Sequence, residues 1–511
     1  MTEVSLIATL ITPPSESGAE LAALPDSVKW LEVRADLLGD INPEWIRKHF
    51  RGRLLYALRR RAEGGNCTDS TERRHRRLAE AARHYDRVEL EGSSDLSESL
   101  LAEIPADRRL ISWHGPASGL SALKAQFMRL SSVPAGVYKL VARAAHIGDE
   151  FTPLSLLKAL GRSDTIAYSD GPLGFWSRLA ALHLGAPGIF GLVPGGNVVG
   201  AEPTVNKLIE DYGLPALKPV REIFAIIGNP VFHSLSPRLH NAAYRALNHP
   251  ALFMPFHVES FAEFWHEVAQ SRAFDSIGLP INGMTVASPH KEEALLIARS
   301  ASTMARRAES ANILVRSNGH WRADTTDPEV IYMVGRERSV KVRDKRAAVV
   351  GCGGAGRAIA AALIKSGARV TLVNRSAERG HHAARLLGLP YLPLTDFDAR
   401  GYDAVVNATP VGRDTDEAPF SVERLDDEVI VIDLVYGSRP TPLVGSAHAR
   451  EQVVIDGRDV LLTQVLCQFR LMTGRDMPTD VALETLGRRA ATPDVVTPAR
   501  PVTGRTAPAL T

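Results

Sequence analysis

From residue 4 to about residue 215, short β-rich runs alternate with longer stretches of helical hydrophobic pattern. The runs are VSLIATL (4–10), VKWLEVRAD (28–36), RLLYALR (53–59), RVELEG (87–92), RLISWHG (109–115), GVYKLVAR (136–143), TIAYSDG (165–171) and GIFGLV (188–193). Their length and β-branched content mark them as strands, and most are followed by a helix. Eight such units predict a closed (β/α)8 barrel, with an open doubly wound sheet as the alternative. The barrel makes the sharper statement, because polar residues should then collect where the βα loops build a site, at the strands' C-terminal ends. Glu32, Arg34, Arg59, Glu91, His114 and Lys139 all lie at or near such ends.

The segment PALKPVREIFAIIGNP (215–230) reads as a linker running into a new strand. The αβ pattern continues to about residue 330 and begins again at RAAVVGCGGAGRAIAAALIKSGARVTLVNRS, so a second and a third α/β unit follow the barrel. There is no internal repeat. Residues 491–511 are rich in Pro and Thr with little apolar pattern, which predicts a disordered tail.

Composition narrows the function classes. At 511 residues, with 45% hydrophobic and 23% charged residues, the chain is an ordinary globular protein too long for one core. Sixty basic and 58 acidic residues leave a net charge of +2, so nothing points to nucleic acid or an anionic membrane, and the expected partners are small molecules. Cys67, Cys352 and Cys467 are widely spaced and form no CxxC pair. That predicts neither disulfides nor a metal site, and fits a reducing cytoplasm. The start MTEVSLIATLITPP makes a poor signal peptide, and no apolar run reaches the roughly 18–20 residues of a membrane helix, so a soluble protein is expected.

The third unit carries its chemistry openly. Gly351, Gly353 and Gly356, with Gly354 and Ala355 between them, follow the apolar strand Ala347–Val350 and open an Ala-rich helix. In that setting glycines let backbone N–H groups and a helix N-terminus approach a pyrophosphate. The next strand ends in Asn374, Arg375 and Ser376, with Arg379 just beyond, where an NAD site would place a carboxylate on the ribose. Two arginines and no acid favour a 2′-phosphate, hence NADP over NAD.

The middle unit holds GNPVFHSLSPRLHN (228–241), with Ser234 and Ser236 ahead of a helix, and GMTVASPHKE (283–292), with Lys291. Together with Asn312, Asp327, the glycine loop, NATPVG (407–412), DLVYGSRPTPLV (433–444) and GRDVLLTQ (457–464), these resemble the shikimate dehydrogenase family over residues 222–490. The resemblance implies a substrate domain over 222–335, completed by 457–490, and a Rossmann NADP domain over 336–456. It implies that Lys291 and Asp327 are the catalytic pair, Lys291 exchanging the proton at the carbinol oxygen as hydride moves. Ser234 and Ser236 would hold the substrate carboxylate, Asn312 and Gln464 its hydroxyls, with Tyr436 a further contact; Asn407, Thr409 and Gly457 belong to the cofactor side. The family loop reads G-x-N/S-V-T-x-P-x-K, whereas this chain has Thr285 and Ala287 in place of the Asn/Ser and the Thr. One lost hydroxyl removes a substrate hydrogen bond of about 1 kcal/mol, which makes a quinate preference the alternative. Thr325 likewise replaces the asparagine of the family's NTD.

In the barrel, Lys139 ends a mostly apolar strand, where desolvation favours a neutral amine. His114 ends the strand before it. Lysine plus histidine is what imine chemistry requires, an amine to condense with a ketone and an imidazole to move protons. The set LEVRADLL, ALRRRAEGG, VELEG, ISWHG, YKLVA and GPLGFWSR resembles type I 3-dehydroquinate dehydratase over residues 4–205. The resemblance implies that Lys139 forms the Schiff base, His114 is the general acid/base and Glu91 orients it, while Glu32, Arg34, Arg59 and Arg178 bind substrate. The closing motif, S-A-P-G-Q in the family, departs: Val198 replaces the serine and Glu202 the glutamine, a carboxylate that repels an anionic substrate or serves another contact.

The two resemblances reinforce one another, since the first reaction's product, 3-dehydroshikimate, is the second's substrate. They imply a fused enzyme that turns 3-dehydroquinate into shikimate, as monomer or homodimer. A non-catalytic sensor of quinate-pathway metabolites is the alternative from another class. Against it, no DNA-binding segment is recognisable beside the domains and both lysines persist.

Overall fold

The structure is a computed structural model that describes residues 2–116, 118–195, 202–337, 341–413, 415–437 and 439–488; Val198 and the 491–511 tail lie outside them. Eight parallel strands form the first sheet. In chain order they are Ser5–Leu10, Val28–Arg34, Arg53–Ala57, Arg87–Glu91, Arg109–Pro116, Val137–Arg143, Thr165–Asp170 and Gly188–Leu192. From Ser5–Leu10 to Thr165–Asp170 each pairs with the next in sequence, and Gly188–Leu192 returns to Ser5–Leu10. The last seam, between Thr165–Asp170 and Gly188–Leu192, carries no ladder. The result is a nearly closed barrel. Parallel strands bury both faces, which is why these runs read as almost continuously apolar.

The second sheet is mixed and six-stranded, in the order 251–257, 222–228, 281–286, 313–317, 320–324, 300–301. The third is wholly parallel, in the order 391–393, 369–374, 346–350, 404–407, 430–433, 453–455, the doubly wound arrangement in which a dinucleotide lies across the strand-order reversal. The helix Gly457–Thr473 then runs back to the second sheet, where Leu461, Val465 and Phe469 share a core with Phe224, Ile226 and Ile313.

Barrel and second sheet also share a core. The helix Gly171–His183 presents Trp176, 1% exposed, to Phe256 at 5.0 Å and Phe274 at 4.9 Å between ring centres, and Phe175 to Phe232 at 5.1 Å. The Trp176 indole N–H donates to Glu150 at 3.3 Å, so the polar edge of that ring is satisfied. No helix among the described residues is long and apolar enough to cross a membrane.

Candidate active sites

The barrel mouth gathers Glu32, Arg34, Arg59, His114, Lys139, Arg178 and Glu202 around one cavity. Lys139 pairs in register with Ser112, and His114 with Val141. Alternation along adjacent strands therefore points both side chains inward, the histidine one pleat nearer the mouth. The lysine's surroundings are not the apolar ones its strand suggests. Nζ, on a residue only 2% exposed, lies 2.8 Å from Glu89 and 3.7 Å from Glu32, over the Phe190 ring at 4.6 Å. Burial alone would raise the Glu89 carboxyl, but Lys139 and Arg59 outweigh it and hold the group well below the usual carboxylate range. Glu32 accepts from the Thr9 hydroxyl at 2.7 Å, and Asp36 holds Arg34 by two 2.8 Å bonds.

The carboxylate beside His114 corrects the sequence expectation. Glu91 sits in register with Ser112, a pleat below the histidine, accepts from the Arg60 N–H at 2.7 Å and lies 3.6 Å from Arg74. Glu63 meets the imidazole instead: one of its oxygens lies 3.3 Å from His114 Nδ1 and accepts the His114 backbone N–H at 3.0 Å. Strand periodicity favoured Glu91, whereas Glu63 lies on the loop after the third strand, in a short turn that ends at Gly64 (φ +84°). The available signal was the glycine pair Gly64–Gly65 behind a charged residue in a βα loop, the place where barrel sites are built. Burial pushes the Glu63 carboxyl up to about 7, with Glu91 nearby adding to it. Burial, with Arg59 and Lys139 close by, pushes His114 well below its usual value. A neutral imidazole beside a carboxyl that titrates near neutrality is a pair suited to moving protons.

Arg178, 4% exposed, reaches the same cavity from the helix Gly171–His183, stacked over Tyr168 at 4.9 Å. Glu202 lies 3.5 Å and Asp170 3.8 Å from its guanidinium.

The second site forms between the mixed and the parallel sheets. Lys291 opens the helix Lys291–Ile297 and donates to Asp327 at 2.8 and 3.1 Å. Asp327, 1% exposed, also accepts from Asn312 at 3.0 Å and from Gln464 at 2.8 Å. Two residues the motifs did not point to extend this network. Thr285 donates to Gln468 at 3.0 Å, and Gln468 donates to Thr326 at 3.1 Å, which Asn312 also contacts at 3.0 Å. The Thr285 hydroxyl is thus engaged with the helix Gly457–Thr473. His290, next to the lysine, is buried and bound to the Val258 carbonyl at 2.7 Å and to Glu293, so it holds the loop. Ala287 is half-buried against the Gly228 backbone. The Ser234 hydroxyl accepts the Ser236 N–H at 3.2 Å and faces the Tyr436 hydroxyl, whose pKa burial raises.

The glycine loop fits a dinucleotide. Gly351 adopts φ +106°, and a side-chain carbon on Gly356 would lie 1.8 Å from the Gly351 carbonyl, so neither tolerates another residue without rearrangement. A carbon on Gly354 would lie 2.1 Å from Ser310 Oγ and 3.3 Å from Lys291 Cβ, so that glycine brings the loop against the lysine. Arg357 ties the two domains, donating to Glu292 and to the Ala308 carbonyl at 2.8 Å each. Asn374 accepts from the Cys352 N–H at 3.0 Å, and Ser376 caps the following helix. Arg375 and Arg379 are exposed, with no carboxylate in ion-pair range among the described residues. Asn407 and Thr409 bond each other at 2.7 Å and Asn407 reaches Asp433 at 2.9 Å, while Gly457 lies tight against the Val435 carbonyl. Among the described residues no three His, Cys, Asp or Glu side chains gather as a metal site.

Comparison with known proteins returns three family descriptions: type I 3-dehydroquinase over residues 7–218, shikimate dehydrogenase substrate binding domain over 226–314, and shikimate / quinate 5-dehydrogenase over 334–433. The chain is 27% identical, over 90% of its length and 80% of the relative's, to a chloroplastic bifunctional 3-dehydroquinate dehydratase/shikimate dehydrogenase of Arabidopsis thaliana. It is 32% identical to an NADP+ shikimate dehydrogenase of Syntrophobacter fumaroxidans, over 51% of this chain and 91% of that one. Among solved structures, a dehydroquinate dehydratase and shikimate dehydrogenase from S. pombe is 21% identical with a TM-score of 0.42, covering 96% of this chain and 99% of that one.

Proposed function

The chain belongs to the shikimate dehydrogenase family, with a type I 3-dehydroquinase domain joined ahead of it, and from that premise we propose that it carries out two consecutive reactions. The barrel dehydrates 3-dehydroquinate to 3-dehydroshikimate, and the second module reduces that product to shikimate with NADPH. In the barrel, the Lys139 amine condenses with the ketone and releases water. His114 takes a proton from the adjacent carbon and returns it to the departing hydroxyl, so the net loss is one water once the imine is hydrolysed. Glu63 holds the imidazole, Arg178 binds the carboxylate, and Glu32, Arg34 and Arg59 bind the rest of the ring.

In the second module a bound NADPH, held at the glycine loop, would supply hydride to the carbonyl carbon. Lys291, held by Asp327, gives the proton to the oxygen, which would otherwise become an alkoxide. Ser234, Ser236 and Tyr436 receive the carboxylate, and Asn312 and Gln464 the hydroxyls. Arg375 and Arg379 would hold the 2′-phosphate. The observation that carries this reading is the coexistence on one chain of a buried lysine and histidine in a barrel mouth and a Lys–Asp pair against a glycine loop. A cytoplasmic location is in keeping with three unpaired cysteines.

Quinate is the second reading, favoured by Ala287, which offers no hydroxyl to the ring. Parallel NADP-linked turnover of shikimate and quinate separates the two, with shikimate expected to have the higher kcat/KM and a strong quinate preference overturning the choice. Borohydride trapping with 3-dehydroquinate tests the barrel: an adduct mass at Lys139 is expected, and its absence removes imine chemistry.

A further inference from the structure

Every cation of the barrel mouth already has a carboxylate. Lys139 and Arg59 face Glu89 and Glu32, whose side chains are each 3% exposed, and Arg34 is held by Asp36 at 0%. These partners are locked in the wall, and separating any of them would leave a buried charge alone. Arg178 differs. Its own side chain is 4% exposed, yet its partners reach it from the solvent edge, Glu202 at 44% exposure and Asp170 at 50%, over the long separations of 3.5 and 3.8 Å. Asp170 is further engaged as the cap of its helix, accepting the Gly171 N–H at 2.7 Å. Glu202 accepts no other hydrogen bond among the described residues. The Arg178 Nε is buried with no partner among the described residues, so the guanidinium has donor capacity to spare.

We infer that Glu202 is a specificity-determining residue of the barrel site: its carboxylate occupies Arg178 in place of the substrate carboxylate and must leave before an anionic ring can bind. The inference rests on the dehydratase reading above. A carboxylate substrate gains Arg178 only by exchanging one charge-assisted bond for another, so the exchange weakens binding without touching the amine or the imidazole. The site therefore discriminates against weak anions, which cannot displace Glu202, and admits a ligand whose hydroxyls add contacts to the wall residues. Releasing Arg178 should appear in KM and leave kcat alone, because the contact is the same in ground and transition states.

The test is steady-state dehydratase kinetics of the full chain with Glu202→Gln and Glu202→Ala. Both should lower KM for 3-dehydroquinate about three- to tenfold, the size of one exposed-edge charge-assisted bond, with kcat within about twofold. NADP-linked turnover of shikimate by the same preparations serves as the folding control. Sulfate, a simple anion, should inhibit both variants at proportionately lower concentration than the wild type. An unchanged or raised KM in the two folded variants overturns the inference, since a glutamate that binds substrate would be missed. Borohydride trapping of the wild type separates the two levels: an adduct at Lys139 with KM unmoved removes only the Glu202 role, whereas no adduct removes the reading beneath it.

Discussion

Glu63 meets His114 at both the ring and the backbone N–H, and the two groups are shifted in opposite directions, the carboxyl up to about 7 and the imidazole well below its usual value. The imidazole is neutral over the working range, and Glu63, when ionised, sets a negative charge beside the imidazolium that forms as the proton is taken. Dehydratase kcat/KM, which reports the free enzyme, should then fall as pH drops through about 7, because protonated Glu63 has lost that charge. Glu63→Gln should remove that inflection and lower kcat about 10- to 100-fold, below the roughly 10²–10⁴ of general acid–base catalysis itself; Glu91→Gln should lower it much less. A profile that keeps its inflection in Glu63→Gln would assign the titration elsewhere. In the other module, Ala287→Thr restores one hydroxyl beside Gly228. It should lower KM for shikimate about fivefold, from roughly 1 kcal/mol of added hydrogen bond, and leave the cofactor KM unmoved. What single residues revealed in the sequence followed their setting. Lys139, His114, Lys291 and Asp327 stand in strands and tight motifs whose geometry is local. Glu63, Gln468 and Thr326 were hidden because loops and distant helices bring them in.

The helix Gly171–His183 serves both sites. It carries Arg178 into the barrel mouth, while Trp176 and Phe175 dock on Phe256, Phe274 and Phe232, the last lying two residues before Ser234. Trp176→Ala should destabilise the protein by about 3–5 kcal/mol, and both activities should disappear in one thermal transition; separate transitions would mean that the modules unfold independently. On the proposed reading, the turn after the strand Arg369–Asn374 holds the 2′-phosphate. Exchanging Arg375 and Arg379 together for serine should raise KM for NADPH about 10- to 100-fold, the loss expected for charged hydrogen bonds to a phosphate, and spare NADH. Equal losses with both cofactors would place the arginines outside the 2′-phosphate site. At this scale the chain was readable: all eight barrel runs became strands within a residue or two, because alternation of short apolar runs with helices is a local signal. The aromatic packing between modules was not, since apolar periodicity tells that a face is buried but not against what.

Over the whole molecule, a nearly closed barrel and a two-domain reductase share a core across a junction without an unstructured spacer: Lys158 donates to the Ser276 carbonyl at 2.6 Å, and Arg238 pairs with Asp211 at 2.7 Å. Two candidate active sites on one packed chain are explained if one makes what the other consumes. The direct test is to give the full chain 3-dehydroquinate and NADPH and to follow NADPH oxidation alongside shikimate formation. Equimolar oxidation and shikimate are predicted, with Lys139→Met abolishing the signal from 3-dehydroquinate but not from 3-dehydroshikimate. If 3-dehydroshikimate accumulates while NADPH stays reduced, or if Lys139→Met is as active as the wild type on 3-dehydroquinate, the account is contradicted.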